Sequence, residues 1–249
     1  MNHNNFILTC ISTQRAENVP KIQSKFNNQE IVFFVSKNEG KSYKMFGAKE
    51  VIECERNICD ARNKAFLYAK ERGKYCVQTS DDLVSISVVK NNKKEKIDPL
   101  VAIQDMIEMM ESKSAVLCGV SITDNILNYK KDWSFDKLIV NDLIVLSPKN
   151  EILYDELAFL KEDYDMFVMQ MQKYGVVVRA DKYLCNYPHR QNKAGANSYR
   201  TYETEKKQNE YVMQKHKGLV IPHNRRDNQI SINYKFLYEN ISNTPNQSV

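Results

Sequence analysis

A chain of 249 residues with a formal charge of +5 and 42% hydrophobic residues can bury a large core as a single α/β domain. No apolar run reaches the roughly 18 uncharged residues that a membrane span needs. The first residues, MNHNNFILTCISTQRAENV, show neither a basic lead nor a small-residue cleavage site, so we expect no signal peptide and a cytoplasmic protein. The charge is uneven: residues 182–249 hold 11 lysines and arginines against 5 acidic residues. That excess suits a polyanionic partner, and an ordinary solvated basic surface accounts for it as well.

FILTCIST (6–13), EIVFFVS (30–36) and EVIECE (50–55) read as strands, being short apolar runs rich in β-branched and aromatic residues. Between the second and third, KNEGKSYKMFG reads as a polar loop. NICDARNKAFLYAKERG predicts a helix with Asp60 as its cap and Gly73 as its end. YCVQTS (75–80) is a fourth strand. Asp98-Pro99 opens a second helix, with Leu100, Ile103, Ile107 and Met110 on its core face. AVLCGVSI (115–122) is a strand, and KLIVNDLIVLSP (137–148) one or two more. LYDELAFLKEDYDMFVMQMQKYG (153–175) reads as a long helix or a turn plus helix, and VVVRADKYLCNY (176–187) as extended. RTYETEKKQNEYVMQKHKG (200–218) is a charged helix ending at Gly218, and NTPNQSV a polar tail. Strands alternating with helices predict an α/β sheet, largely parallel at its start. No cysteine pair among the six has the spacing of a zinc knuckle or redox motif, and we expect no disulfide framework.

In an open α/β sheet, ligands bind outside the carboxyl ends of the strands. Ser12, Thr13 and Arg15 follow the first strand there, and Asp81 and Asp82 follow the fourth. Adjacent carboxylates suit a turn, where Asp bonds nearby backbone. They also suit Mg²⁺ or Mn²⁺, held by one or two carboxylates with phosphates and water completing the shell.

The block CDARNKAFLYAKERGKYCVQTSDDL resembles the nucleotide-sugar-binding half of glycosyltransferases of the GT-A fold. That family shows a helix opening Ala-Arg-Asn, a Gly turn, a hydrophobic strand and an Asp-x-Asp-type motif. The motif here reads Ser80-Asp81-Asp82, with Ser at the first acidic position. The resemblance implies a mostly parallel, helix-flanked sheet and a nucleotide-diphosphate sugar as donor, a UDP-sugar by preference. It places the metal on Asp82, the sugar or ribose near Asp81, and the nucleotide near Thr13, Arg15, Arg62 and Asn63. Glu162-Asp163 resembles the Glu-Asp pair of inverting members, with Asp163 as base and Glu162 orienting it or bonding the acceptor. Acids are also common at helix starts for electrostatic reasons alone. In NYPHRQNKAGANSYR (186–200), His189 matches the late histidine that completes the metal shell. Arg190, Lys193 and Arg200 there suit phosphates.

The combination of an ARN helix, a DD pair, an ED helix and a late H-R loop resembles phage DNA-base glycosyltransferases associated with TET-type hydroxylases. That implies 5-hydroxymethylcytosine or 5-hydroxymethyluracil in DNA as acceptor, with the base flipped out to reach Asp163. It also implies a host-cell cytoplasmic location. Residues 1–181 would be the donor-binding and catalytic core. Residues 182–249 would be a closing loop, helix and acceptor-side extension of the same domain. Two other readings stand beside this one: a transferase acting on a protein or glycan, and a noncatalytic nucleic-acid-binding module on a degenerate transferase scaffold.

Overall fold

The structure is a computed structural model that describes residues 5–121, 125–187 and 200–242. In chain order the first half comprises β1 (Phe6–Ser12), α1 (Val19–Lys25), β2 (Ile31–Ser36), α2 (Gly40–Met45), β3 (Glu50–Cys54), α3 (Ile58–Lys70) and β4 (Tyr75–Ser80). Then come β5 (Ser85–Lys90), β6 (Lys93–Ile97), α4 (Pro99–Ser112), β7 (Leu117–Val120), β8 (Leu143–Leu146), α5 (Glu162–Tyr174), β9 (Val178–Ala180) and β10 (Leu184–Asn186). The chain closes with α6 (Tyr202–Lys215), β11 (Val220–Pro222), β12 (Ile230–Ile232) and α7 (Tyr234–Ser242).

The central sheet has the order β3-β2-β1-β4-β8-β7-β9. Its first four strands are mutually parallel, β8 runs antiparallel to both neighbours, and β9 returns parallel to β7. Both faces are covered, which is why these strands read as near-continuous apolar runs. Residues two apart share a face. Leu8 and Cys10 of β1 and Phe33 and Val35 of β2 meet α1 and the Ile103–Met106–Met110 face of α4. Ile11, Val32 and Phe34 meet the other layer, built from Ala65 and Phe66 of α3, Phe167 and Met171 of α5, Val212 of α6 and Leu237 of α7. The fold is therefore a mixed α/β sheet, mainly parallel and flanked by helices. All six cysteines are buried.

Several local expectations change. Asn57, not Asp60, caps α3: its side chain accepts from the N–H groups of Cys59 and Asp60. Asp60 reaches back to the N–H groups of Glu55 and Arg56 instead, in the turn that precedes the helix. Part of KNEGKSYKMFG is the helix α2 rather than a loop. Only the second half of 137–148 forms a strand. The extended segment 176–187 splits between two sheets, with β9 in the main sheet and β10 in a small antiparallel sheet of order β10-β5-β6. No helix of the described residues is long and apolar enough to cross a membrane.

Candidate functional site

The parallel strands end together at one sheet edge. Register pairs Ile11 with Ser80 and Ser12 with Val35, so the residues after β1, β2 and β4 converge there. After β1 the chain turns sharply: Gln14 has φ of 57°, a left-handed conformation that disfavours a side chain. Its N–H is tied to Glu39 at 2.9 Å, and Thr13 donates to the same carboxylate at 3.1 Å and meets Ser36 at 2.5 Å. The Arg15 N–H donates to the Tyr43 hydroxyl. This turn brings Arg15 back across the end of β4.

Arg15 bridges the acid pair there. Its Nη2 lies 2.9 Å from Asp81 Oδ1 and its Nη1 lies 3.2 Å from Asp82 Oδ2. Ser12 donates to Asp81 Oδ2, and Ser80 donates to Asp82 Oδ1 at 2.7 Å. Asp81 is 1% exposed, and burial pushes its carboxyl up to about 6 against the opposing pull of Arg15 and Ser12. Arg15 Nε is buried and has no hydrogen-bond partner among the described residues.

A second cluster lies where α3 and β4 meet the start of α5. Arg62 is buried; its Nη1 donates to Gln78 at 3.3 Å, its guanidinium faces the Tyr154 ring, and its Nε stands 3.7 Å from Glu162. Gln78 in turn donates to the Arg62 carbonyl at 2.8 Å. Asn63 grips the backbone of Tyr154 from both sides, donating to its carbonyl at 2.9 Å and accepting from its N–H at 2.7 Å. The amide of Asn63 thus anchors the segment before α5.

The start of α5 is fixed from its other side by α6. Gln208 accepts from the Leu160 N–H and donates to the Leu157 carbonyl, and Lys161 pairs with Glu205 at 2.8 Å. Glu162 and Asp163 therefore occupy the first turn of a rigidly held helix. Burial lifts Glu162 from 4.5 to about 7, helped by the Asp163 charge and opposed by Arg62 and Arg200. Burial also raises Asp163, against the Tyr164 N–H that it accepts at 2.9 Å and against Lys161 and Arg62. Two adjacent carboxyls in one half-buried site titrate as a unit, and one that holds or loses a proton near neutral pH suits a general base.

The hairpin β11–β12 is tied to α5 through Tyr164, whose hydroxyl donates to the Ile230 carbonyl at 3.1 Å. A cavity of about 420 Å³ lies between the hairpin and α6, lined by Lys206, Arg225 and Arg226 together with Glu210 and Asp227 and by neither Glu162 nor Asp163. A cavity of about 530 Å³ lined by Trp133 and Tyr238 lies at the opposite end of α5, by Gly175, away from both acid pairs.

The structure thus assembles Thr13, Arg15, Asp81 and Asp82 at the sheet edge, and Arg62, Glu162 and Asp163 at the start of α5. His189, Arg190 and Lys193 lie outside the described residues. His216, at the end of α6, is buried 2.7 Å from Asp165. Tyr43, Gln78 and Tyr154 escape sequence reasoning, although a glutamine inside the apolar run YCVQTS is a visible signal.

Among the described residues no group of three or more His, Cys, Asp or Glu converges as a metal site. Charge decides whether the acid pair still fits a cation. Two carboxylates against one guanidinium leave an uncompensated negative charge, which suits a hard divalent ion and opposes a bare diphosphate. Asp82, with 14% of its side chain exposed, is the reachable member.

No protein-family model and no curated protein sequence matches the chain. Among solved structures it is similar to S. aureus TarS residues 1–349 in complex with UDP, at 11% identity and a TM-score of 0.49. That similarity covers 84% of this chain and 65% of the length of the other.

Proposed function

We propose that the chain is a glycosyltransferase that moves a sugar from a nucleotide-diphosphate sugar, a UDP-sugar by preference, to an acceptor hydroxyl. One observation carries the reading: α3, whose second turn bears Ala61-Arg62-Asn63, places Arg62 3.7 Å from Glu162, the neighbour of Asp163 in the chain. That contact supports a site in which α3 and the start of α5 act together.

In this reading Asp163 removes the proton of the acceptor hydroxyl as its oxygen bonds to the anomeric carbon. The bond from that carbon to the diphosphate breaks, and its electron pair leaves with the nucleotide. A single displacement of this kind inverts the anomeric centre. Arg62 and Glu162 hold Asp163 in place, and Thr13 and Arg15 face the donor. Asp82 would hold Mn²⁺ or Mg²⁺, which when bound supplies neutralisation of the leaving diphosphate.

The acceptor we propose is 5-hydroxymethylcytosine or 5-hydroxymethyluracil in phage DNA. The basic excess of residues 182–249 supports it. So does the placement of Arg225 and Arg226 in the cavity of the β11–β12 hairpin, which packs on the residue next to Asp163. The test is nucleotide release from a panel of UDP-sugars with Mn²⁺, on duplex DNA with and without the hydroxymethylated base. Release that depends on the modified base, with a matching mass gain on the DNA, is the expected result. Release indifferent to DNA moves the acceptor to a protein or glycan. Absence of release with any donor, together with DNA binding, selects the noncatalytic module.

A further inference from the structure

We infer that Arg15 is an exchangeable counter-ion: it neutralises Asp81 and Asp82 until a divalent cation takes its place on Asp82, and then passes to the diphosphate. This rests on the donor-site reading above. The occupancy of the pair is the first observation. Both oxygens of Asp82 are hydrogen-bonded, one to Arg15 and one to Ser80, and Asp81 accepts from Ser12 through one oxygen while the other lies 2.9 Å from Arg15 without hydrogen-bond geometry. A cation reaching Asp82 must therefore compete with the guanidinium.

The two Arg15 contacts are unequal, which is the second observation. The contact to buried Asp81 is 2.9 Å, and the contact to the more exposed Asp82 is 3.2 Å. The Asp82 contact has hydrogen-bond geometry and the Asp81 contact does not, so exposure, not a looser contact, makes Asp82 the carboxylate that a cation reaches first. The third is Arg15 Nε, which is buried without a hydrogen-bond partner. A buried N–H in that condition is unfavourable until a ligand oxygen meets it. Diphosphate oxygens are strong acceptors for a guanidinium. Charge completes the argument. Displacement of Arg15 by a divalent ion converts a net negative cluster into one that is neutral on the carboxylates and cationic toward the donor. Metal and nucleotide should then bind with positive coupling.

The experiment titrates Mn²⁺ alone into the full chain, followed by the electron paramagnetic resonance of the free ion, and repeats the titration with UDP. Arg15→Ala removes the competitor and is expected to bind Mn²⁺ alone about tenfold more tightly than wild type, or better. Arg15→Lys keeps a charge but cannot bridge both carboxylates, and it should also bind the ion more tightly than wild type. This variant serves if Arg15→Ala fails to fold. Asp82→Asn should bind no Mn²⁺. UDP should tighten Mn²⁺ on wild type by about tenfold, and leave Arg15→Ala nearly unchanged. Equal or weaker Mn²⁺ binding in both Arg15 variants overturns the exchange. Tighter Mn²⁺ in the variants, with no response to UDP, GDP, ADP or CDP in any protein, keeps the competition but overturns the transfer to a diphosphate, and the donor-site reading with it.

Discussion

The two acid pairs of this protein are built from the same parts, adjacent carboxylates and one arginine, yet they differ in what the arginine does. At the end of β4, Arg15 touches both carboxylates, and serine hydroxyls take the remaining oxygens. At the start of α5, Arg62 hydrogen-bonds Gln78, faces the Tyr154 ring and stands 3.7 Å from Glu162 without a hydrogen bond to it. The first pair is clamped by contact. The second is only partly compensated, and burial outweighs the arginine in both places: Asp81 rises to about 6 in the first pair, and both carboxyls rise in the second. Contact geometry, more than composition, separates the two: Arg15 sits against both of its carboxylates, and Arg62 stands off from its own.

The largest expected effect tests the second pair. Asp163→Asn preserves shape and removes the base, so sugar transfer should fall by about 10²–10⁴-fold while UDP binding persists. Measured transfer rates and a UDP titration check this. Loss of UDP binding in that variant would merge the two regions that we separate. The first pair should show itself in stability. Arg15→Ala leaves two nearly buried carboxylates facing each other, at a cost of about 3 kcal/mol. For a chain of this size that is a fall of roughly 6–12 °C in Tm. Restoring part of that loss in Arg15→Ala/Asp81→Asn would identify charge as the cause; no restoration would point to lost packing.

The pH dependence sharpens the contrast. Glu162 has its folded value raised from 4.5 to about 7, so the folded protein keeps a proton that the unfolded chain has released. Its stabilising contribution is complete below about 4.5 and is lost as pH rises through about 7. Urea midpoints should therefore decline across that window, and Glu162→Gln should flatten the decline. Asp81 acts in the same direction between 3.8 and about 6, so Asp81→Asn should remove only the acidic part of the slope. An unchanged slope in both variants would refute the assignment. The smallest effect concerns the anchor between α3 and α5. Asn63→Ala loses two hydrogen bonds to Tyr154, a cost of about 1–2 kcal/mol. Its urea midpoint should fall with UDP affinity intact. A selective loss of UDP affinity would instead return Asn63 to the nucleotide.

Where local chemistry is strong, the sequence is easily read. Asp98-Pro99 opens α4 as its cap geometry requires, with Asp98 accepting from the Leu100 N–H. The buried strands β1, β2 and β4 stand out as apolar runs. The β5–β6 hairpin does not, because KKEKI is an exposed edge strand with no apolar face. Its turn does leave a trace, since Asn91 and Asn92 both have positive φ, as a tight hairpin demands. For α2, GKSYKM carries little helical pattern, and its one buried large side chain, Tyr43, is the one that meets Ser12 and Arg15. The site was legible as motifs: Asp81-Asp82, Glu162-Asp163 and Arg62 are all visible. Their partners were not, because hydrogen bonds between residues far apart in the chain leave no spacing signal.

The sequence by itself determined the alternation of strands and helices, the parallel start of the sheet, and the two pairs of adjacent acids at element ends. Periodicity, capping and turn chemistry act within a few residues, so they are written locally. Only the tertiary structure decided that Arg15 serves the acid pair and not the nucleotide alone, that Asn63 grips Tyr154, and that Arg62 reaches Glu162. Burial and charge compensation depend on what the whole fold packs around a group, and no local stretch carries that information.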